Sequence, residues 1–416
     1  MVRILSEKQR KFAVYVVQKL RSAGFDAYWA GGCVRDELIH RVPSDYDIAT
    51  SATPSEIREL FTHRRTLAIG AAFGVITVLG GSDAGQIDVA TFRQDATYSD
   101  GRHPDSVMFS TAECDAKRRD FTINGLFYDP VDNCVIDFVG GKADIEARVI
   151  RAIGDPKKRF EEDKLRMLRA VRFASILEFD LEEETCSVIK KMAAQVAVVS
   201  VERIVAEFRR MLTDVHRVVA ARLLLETGLA AAILPEVVPG DDAGWRRMEH
   251  TLLVLDSLCE PSFSLALAAL LSDWADGQMA QEICCRWRLS NGDKERVVWL
   301  IDHLGQLQSA KSTRWSKLQE ILVSDGIEDL LLLESAIATV EGLSSEHLDY
   351  CRACLTQPKD VLDPPPLLTG DDLIEHGRQP GPIFRVVLQR VRHAQLDKEI
   401  ETSAEALALA DDIMGQ

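Results

Sequence analysis

The sequence predicts an α/β head, a small mixed β-sheet with helices, followed by an all-α neck, body and tail. Three observations carry this. Alternating apolar and polar positions, the mark of a half-buried strand, are confined to the first 150 residues. After Asp155-Pro156 they give way to Leu- and Ala-rich stripes at helical spacing. A chain of 416 residues is also too long for one ordinary domain.

Taken in order, Lys8 to Leu20 has helical periodicity, and Ala27–Ala30 reads as a short strand ending in Gly31-Gly32. Asp47–Ala49, Gly74–Leu79 and Gln86–Phe92 read as three more strands, with Val75/Thr77 and Ile87/Val89 alternating. Breaker-rich stretches at Pro235–Gly244 and Pro358–Pro366 punctuate the helical part. The expected division is a head at 1–150, a neck at 151–225, a body at 226–360 and a tail at 361–416.

Composition narrows the function classes. Charged residues at 27% beside hydrophobic ones at 46% exclude long disorder. No apolar run is long enough to span a bilayer, and Phe12–Val17 is too short for a signal peptide. Nine cysteines without a framework spacing point to reduced thiols and a cytoplasmic setting. Cys351 and Cys354 form a C-x-x-C with no second pair, which argues against a metal or redox site. A net charge of −16 repels nucleic acid on average, so RNA binding has to rest on local basic clusters. Two exist: Lys117-Arg118-Arg119, and Lys157-Lys158-Arg159 continued by Lys164, Arg166, Arg169 and Arg172.

The most informative stretch is AGGCVRDELIHRVPSDYDI, residues 30–48. Asp45 and Asp47 are two apart, so an extended backbone points both carboxylates to one face. Crowded carboxylates repel without a cation, and a hard divalent ion such as Mg²⁺ suits them. Upstream, Gly31-Gly32 lets backbone N–H groups approach an anion at a helix start that contains Arg35. Either feature alone is ordinary surface or turn; in this order and spacing they lay out a metal-dependent nucleotide-transfer site. The doublet lacks the G-x-G-x-x-G pattern, which excludes a dinucleotide-binding Rossmann site. Asp88, in QIDVATFR, either joins the pair from the next strand or is a strand-edge surface residue.

The combination resembles the class II nucleotidyltransferases, the CCA-adding tRNA nucleotidyltransferases and bacterial poly(A) polymerases. Three further segments match that superfamily in order: Arg118 to Leu126 (RRDFTINGL), Glu162-Asp163-Lys164-Leu165-Arg166 with Arg169 and Arg172, and Ser200 to Ile204 (SVERI). The match covers residues 25–215 and extends weakly to Thr369–Pro382. The resemblance implies a nucleotidyltransferase head in which Gly31, Gly32 and Arg35 hold the triphosphate. It also implies that Asp45 and Asp47 hold two Mg²⁺ ions, that Arg119 contacts the nucleotide, and that Asp88 assists catalysis. Asp120 remains equally a structural residue. The implied reaction adds C, C and A to the tRNA 3′ end from CTP and ATP, with no membrane or DNA involved and the oligomeric state open. A poly(A) polymerase, an A-only adding enzyme and a catalytically idle RNA-binding relative are the alternatives.

Base choice is expected on a helix over Glu162–Phe173. Asp163, Arg166, Arg169 and Arg172 form an i, i+3 row that spirals around the axis, so Asp163 and Arg166 address one base together. An acceptor beside several donors matches the amine and ring acceptor of cytosine or adenine, and penalises the O4 of uracil and the O6 of guanine. An intrahelical salt bridge is the plainer alternative. Arg169 counts among the nucleotide-binding residues; Arg172, half a turn from Asp163, serves phosphate, primer or a structural ion pair.

The polar segment Asp95 to Pro104 reads as a loop beside the site. In the body, Ser272-Asp273 stands where a His-Asp phosphohydrolase would need its motif, and His250 is isolated. Trp245, Trp274, Trp287, Trp299 and Trp315 are expected in the core. Arg203, Arg209, Arg210, Arg385, Arg390 and Arg392 are candidate tRNA phosphate contacts or solvated surface charges.

Overall fold

Helix α1 (Val2–Ser22) leads into strand β1 (Ala27–Ala30) and the short helix α2 (Gly32–Leu38). The chain then forms β2 (Ile48–Thr50), α3 (Pro54–Phe61), β3 (Thr66–Leu67), β4 (Val75–Leu79) and β5 (Gln86–Thr91). A separate two-stranded ribbon, β6 (Arg93–Asp95) and β7 (Val107–Phe109), precedes α4 (Ala112–Lys117). Strands β8 (Leu126–Asp129) and β9 (Cys134–Asp137), then α5 (Gly141–Ala147), complete the head. The structure is a computed structural model and describes residues 2–81, 84–95 and 107–415. Of the expected loop Asp95–Pro104, all but Asp95 lies outside the described residues.

Seven strands share one mixed sheet in the order β3-β4-β5-β2-β1-β8-β9. β2 and β5 are parallel, with Ile48 opposite Val89, while the other neighbours in the sheet are antiparallel. One face buries Trp29, Ile48, Ile76 and Val89 beneath α1 and α3. The other gathers Ala30, Ala49, Phe92, Ala116 and Phe127 near α4. Strand β2 starts one residue later than expected, and β8 and β9 were not foreseen. Leu126 and Phe127 are both fully buried, so β8 lacks the alternation that marks a half-exposed strand.

The neck departs from expectation at its most informative point. The expected helix over Glu162–Phe173 is two helices, α6 (Pro156–Glu162) and α7 (Leu165–Leu177). Asp163 is extended (φ −150°, ψ 106°) and its carboxylate accepts the Leu165 N–H (3.0 Å). A short acidic side chain that caps its own neighbour competes with helical continuation, and here the cap prevails. Asp163 and Arg166 therefore do not stand one above the other on a single helix. After α8 (Glu183–Met192) comes α9 (Val201–Leu212), which packs against α7 and whose buried residues include Glu207.

The chain divides into two compact units, 1–238 and 239–416. In the second, the helix Phe263–Leu271 is buried along its whole length. Toward the C-terminus, Phe384, Val387 and Val391 pack with Ala406 and Ala410. Asp363, inside the segment expected as a linker, accepts Gln319 Nε2 (3.0 Å) and Arg392 Nη2 (2.7 Å). Of the five tryptophans expected in the core, Trp287 is 3% exposed and Trp245 52%; the other three are intermediate. Trp274 lies half-buried under Arg247 and donates its indole N–H to Thr251 (3.0 Å). His250 lies within the helix Asp242–Ser257 and bonds Asp273 (2.8 Å), so it is not isolated. All nine cysteines are free thiols, and burial together with Cys354 pushes Cys351 up to about 11. Among the described residues no helix is long and apolar enough to cross a membrane.

Close packing fixes the turn that follows α4. A Cβ on Gly141 would lie 2.1 Å from the Thr122 carbonyl oxygen, so only glycine lets α5 sit on this turn. Thr122 Oγ1 donates to Asp144 of the same helix (2.6 Å). Gly141→Ala is expected to lower stability by about 1–3 kcal/mol through overpacking, measured by denaturant or thermal unfolding.

Candidate active site

Tyr46 is the residue that aims the two aspartates. Its ring is buried against Trp29 (centroids 4.8 Å apart) and its hydroxyl donates to Glu37 (2.8 Å). With Tyr46 and Ile48 turned inward, the alternation of an extended backbone turns Asp45 and Asp47 outward, and both are exposed. The Ala30 N–H bonds the Asp47 carbonyl (2.9 Å), which locks this segment onto β1. Because β5 runs beside β2, Asp88 faces the same side, one residue before Val89; Thr77 Oγ1 donates to its carboxylate (2.6 Å).

Solvent reaches Asp47, yet the surrounding chain encloses most of it. Burial, then the negative charges of Asp45 and Asp88, push the Asp47 carboxyl up to about 6, with Arg119 pulling the other way. That is the signature of a group short of positive charge, and it fits a site for a divalent cation. Among the described residues no three His, Cys, Asp or Glu side chains converge closely enough to cage an ion. The carboxylates would hold it on one side and leave its remaining positions to phosphate oxygens and water, as Mg²⁺ prefers.

The nucleotide side of Asp47 is a cleft of about 530 Å³. Gly31, Gly32, Arg35, Asp47, Arg119, Asp163, Arg166, Arg169 and Arg172 all line it, so nine of the sequence-derived site residues meet in one place. Asp45 and Asp88 lie outside the lining. Gly31 has φ +75°, and a Cβ there would approach Arg119 Nη1 to 2.8 Å. It is also the N-cap of α2 and supplies no side chain to cover the helix start.

Each arginine of the cleft is committed to a carboxylate. Arg35 is 8% exposed and donates to Asp36 (2.7 and 2.9 Å) and to Asn124 Oδ1 (2.7 Å), which anchors it in the cleft wall. Arg118 and Arg119 share the buried Asp115 (2.7 and 3.0 Å), and Arg119 also donates to the Asn124 carbonyl (3.3 Å). Arg169 pairs with Asp120 (2.6 Å) and Arg172 with Glu207. Burial alone would raise the Asp120 carboxyl, but Arg169 and the Asn124 amide hold it well below the usual carboxylate range. Asp120 also accepts the Phe121 N–H (2.8 Å), which makes it a brace between the head turn and α7.

Asp163 and Arg166 both line the cleft, each held by a different partner. Asp163 is bound by Arg203 of α9 (2.6 and 3.2 Å), while Arg166 donates to Glu162 (2.6 Å) and to the carbonyls of Arg159 and Arg118 (2.9 and 3.3 Å). Among the described residues no bridge joins the two, so the plainer intrahelical alternative falls. Arg203, read from sequence as a tRNA contact or surface charge, lines the cleft instead. Asn124, Asp115 and Glu207 were missed as well, although Asn124 stands in the RRDFTINGL segment. Phe173 receives three guanidinium groups on its ring, those of Arg35, Arg169 and Arg172 (5.1, 5.2 and 4.1 Å).

A glycine turn and paired aspartates on a mixed sheet, facing an arginine-walled cleft, define a nucleotidyltransferase. The family model of the poly A polymerase head domain matches residues 27–151, and that of tRNA nucleotidyltransferase domain 2 matches 263–410. The CCA-adding enzyme of Lactobacillus helveticus is 34% identical over 399 residues, 95% of each chain. That of Bacillus cytotoxicus is 31% identical over 410 residues, 96% of this chain and 97% of its own. The solved Bacillus stearothermophilus CCA-adding enzyme in complex with CTP superposes with a TM-score of 0.74 at 29% identity, covering 98% of both chains. The chain belongs to the CCA-adding enzyme family of tRNA nucleotidyltransferases.

The Asp47 shift sets a pH dependence. A carboxyl raised from 3.8 to about 6 binds its proton more tightly in the folded state, so its ionisation costs stability as pH rises through that window. Without divalent cations, Asp47→Asn should melt higher than the wild type at pH 7.5 and equally at pH 3.5. Added Mg²⁺ should narrow the gap at pH 7.5 by stabilising the wild type. Thermal melts with EDTA or Mg²⁺ at both pH values check this.

Proposed function

We propose that this chain adds C, C and A to the 3′ end of tRNA, using CTP and ATP and releasing pyrophosphate. The observation that carries the reading is the convergence of the Gly31-Gly32 turn, Asp47, the RRDFTINGL segment and Asp163 on one cleft. Full-length relatives named CCA-adding enzyme support it over the poly(A) alternative.

The Gly31 N–H is taken by the Leu126 carbonyl (3.1 Å), so the turn offers the triphosphate the Gly32 N–H, and Arg119 with its neighbours supplies positive field there. Asp45 and Asp47 hold the divalent cation, Mg²⁺ in this reading. When bound, it neutralises the triphosphate and lowers the pKa of the RNA 3′-hydroxyl. Asp88, oriented by Thr77, lies beside Asp47 to receive a hydrogen bond from the incoming hydroxyl. A bond forms from the ribose O3′ to the α-phosphorus as the bond to the bridging oxygen breaks, and the hydroxyl proton leaves to solvent.

Base choice belongs to the turn between α6 and α7. Arg203 holds Asp163 in place, and the remaining lone pair of Oδ2 accepts the exocyclic amine of cytosine or adenine. Three of the five Arg166 N–H groups are committed to Glu162, Arg159 and Arg118, which leaves two donors for the ring acceptor. An O4 or O6 facing Asp163 would leave two acceptors opposed and unpaired.

Purified protein given tRNAs ending before CCA, after C or after CC should incorporate CMP, CMP and AMP in turn and then stop. Long AMP ladders on unstructured RNA would instead identify a poly(A) polymerase. Asp163→Ala should erode discrimination against UTP and GTP by about 1–3 kcal/mol, read as the ratio of kcat/KM values for CTP and UTP. Unchanged ratios would remove Asp163 from base reading.

A further inference from the structure

An in-line displacement constrains where RNA approaches, because attacking and leaving oxygens lie on opposite sides of the α-phosphorus. The sheet order puts the groups that would hold the triphosphate on the β1 and β8 side of Asp47. The RNA end must then arrive from the β5 side. There the face shared by Asp47 and Asp88 continues across two more strands, because Asp88 pairs with Thr77 and Thr77 with Leu67. Helix α3 packs on β4 and β5, where its inward residues Ile57 and Phe61 meet the opposite face, with Ile76 and Val89. From Asp88 to Leu67 is roughly 10 Å, two strand spacings, or about one to two nucleotides of RNA.

The end of this row is unusual. Leu67 is 39% exposed and Ile69 90% exposed, an apolar edge that no core requires. Immediately before it, His63, Arg64 and Arg65 form an exposed turn. None of the three forms an ion pair or side-chain hydrogen bond with any described residue, whereas every arginine of the nucleotide cleft is neutralised. In a chain of net charge −16, unpaired basic residues in line with the candidate catalytic carboxylates are a local exception. Positive charge complements phosphate, and an exposed apolar edge suits the faces of unpaired bases.

We propose that edge strand β3 carries the 3′-terminal strand of the RNA acceptor, with Leu67 and Ile69 under its unpaired bases and Arg64 and Arg65 on its phosphates. This rests on the reading of the chain as a tRNA 3′-end nucleotidyltransferase. The track delivers the ribose hydroxyl past Thr77 and Asp88 to Asp47, from the side opposite the triphosphate.

The test uses the full-length protein and an acceptor-stem minihelix lacking CCA. Wild type is measured first: no CMP incorporation sinks the functional reading and this proposal together. With wild type active, Arg64→Gln/Arg65→Gln should raise the minihelix KM about tenfold near 0.15 M salt. It should also flatten the plot of log KM against log salt by about 1.4, two single-strand phosphates' worth. Ile69→Asp should raise the same KM, and CTP affinity measured without RNA should stay at the wild-type value in both variants. All three side chains are exposed, so misfolding does not confound the result. Wild-type minihelix KM values and salt slope in the variants, or a defect seen on full tRNA that vanishes on the minihelix, would overturn the track while leaving the functional reading intact.

Discussion

Seven guanidinium groups around one cleft repel one another, and the neck exists in its observed form because six carboxylates, three of them buried, are interleaved with them. Asp36, Asp115, Glu162, Asp120, Glu207 and Asp163 take Arg35, Arg118 with Arg119, Arg166, Arg169, Arg172 and Arg203 respectively. Removing one partner from a buried pair costs far more than a surface pair is worth, since the other charge remains without water. The network therefore fixes side-chain positions more than it adds stability. It crosses from head to neck at Asp120–Arg169, and where Arg166 and Arg159, which share Glu162, both reach the Arg118 carbonyl.

The same pairing reconciles an acidic chain with an anionic substrate. Interleaved carboxylates bring the cleft close to neutral, yet each arginine keeps N–H donors beyond those its partner uses. Such a surface offers triphosphate many oriented hydrogen bonds without a strong bare field, which favours positioning over indiscriminate anion capture. Asp47 is the complementary case. Its neighbours are negative, its carboxyl is held up to about 6, and a cation relieves a repulsion already present.

Division of labour follows the sheet. The Gly31 turn follows β1 and the Asn124 turn precedes β8, the aspartates lie just before β2, and β5 with β4 supplies Asp88 and its partner Thr77. Strand spacing sets these groups at regular intervals along one surface, and in the proposed reading triphosphate and RNA reach the same carboxylates from opposite directions. The base-reading role proposed for Asp163 sits apart, on the break between α6 and α7, where Arg203 bonds its carboxylate.

How much of this was legible in the chain depends on range. Residues close in sequence, such as Gly31-Gly32 and the Asp45/Asp47 pair, announce their chemistry because backbone geometry alone decides which way they point. The strands over 27–30, 75–79 and 86–91 were equally readable, since one face of each is buried and alternation follows. Strand β8, buried on both faces, has no alternation to read. The break at Asp163 was hidden as well, because a capping carboxylate and a helical salt bridge use the same residue types at the same spacing. Which arginine pairs with which acid was decided by tertiary contacts across 40 residues for Arg203 and Asp163, and 49 for Arg169 and Asp120. Charge attraction has no preferred separation along a chain, so only the folded packing could select those partners.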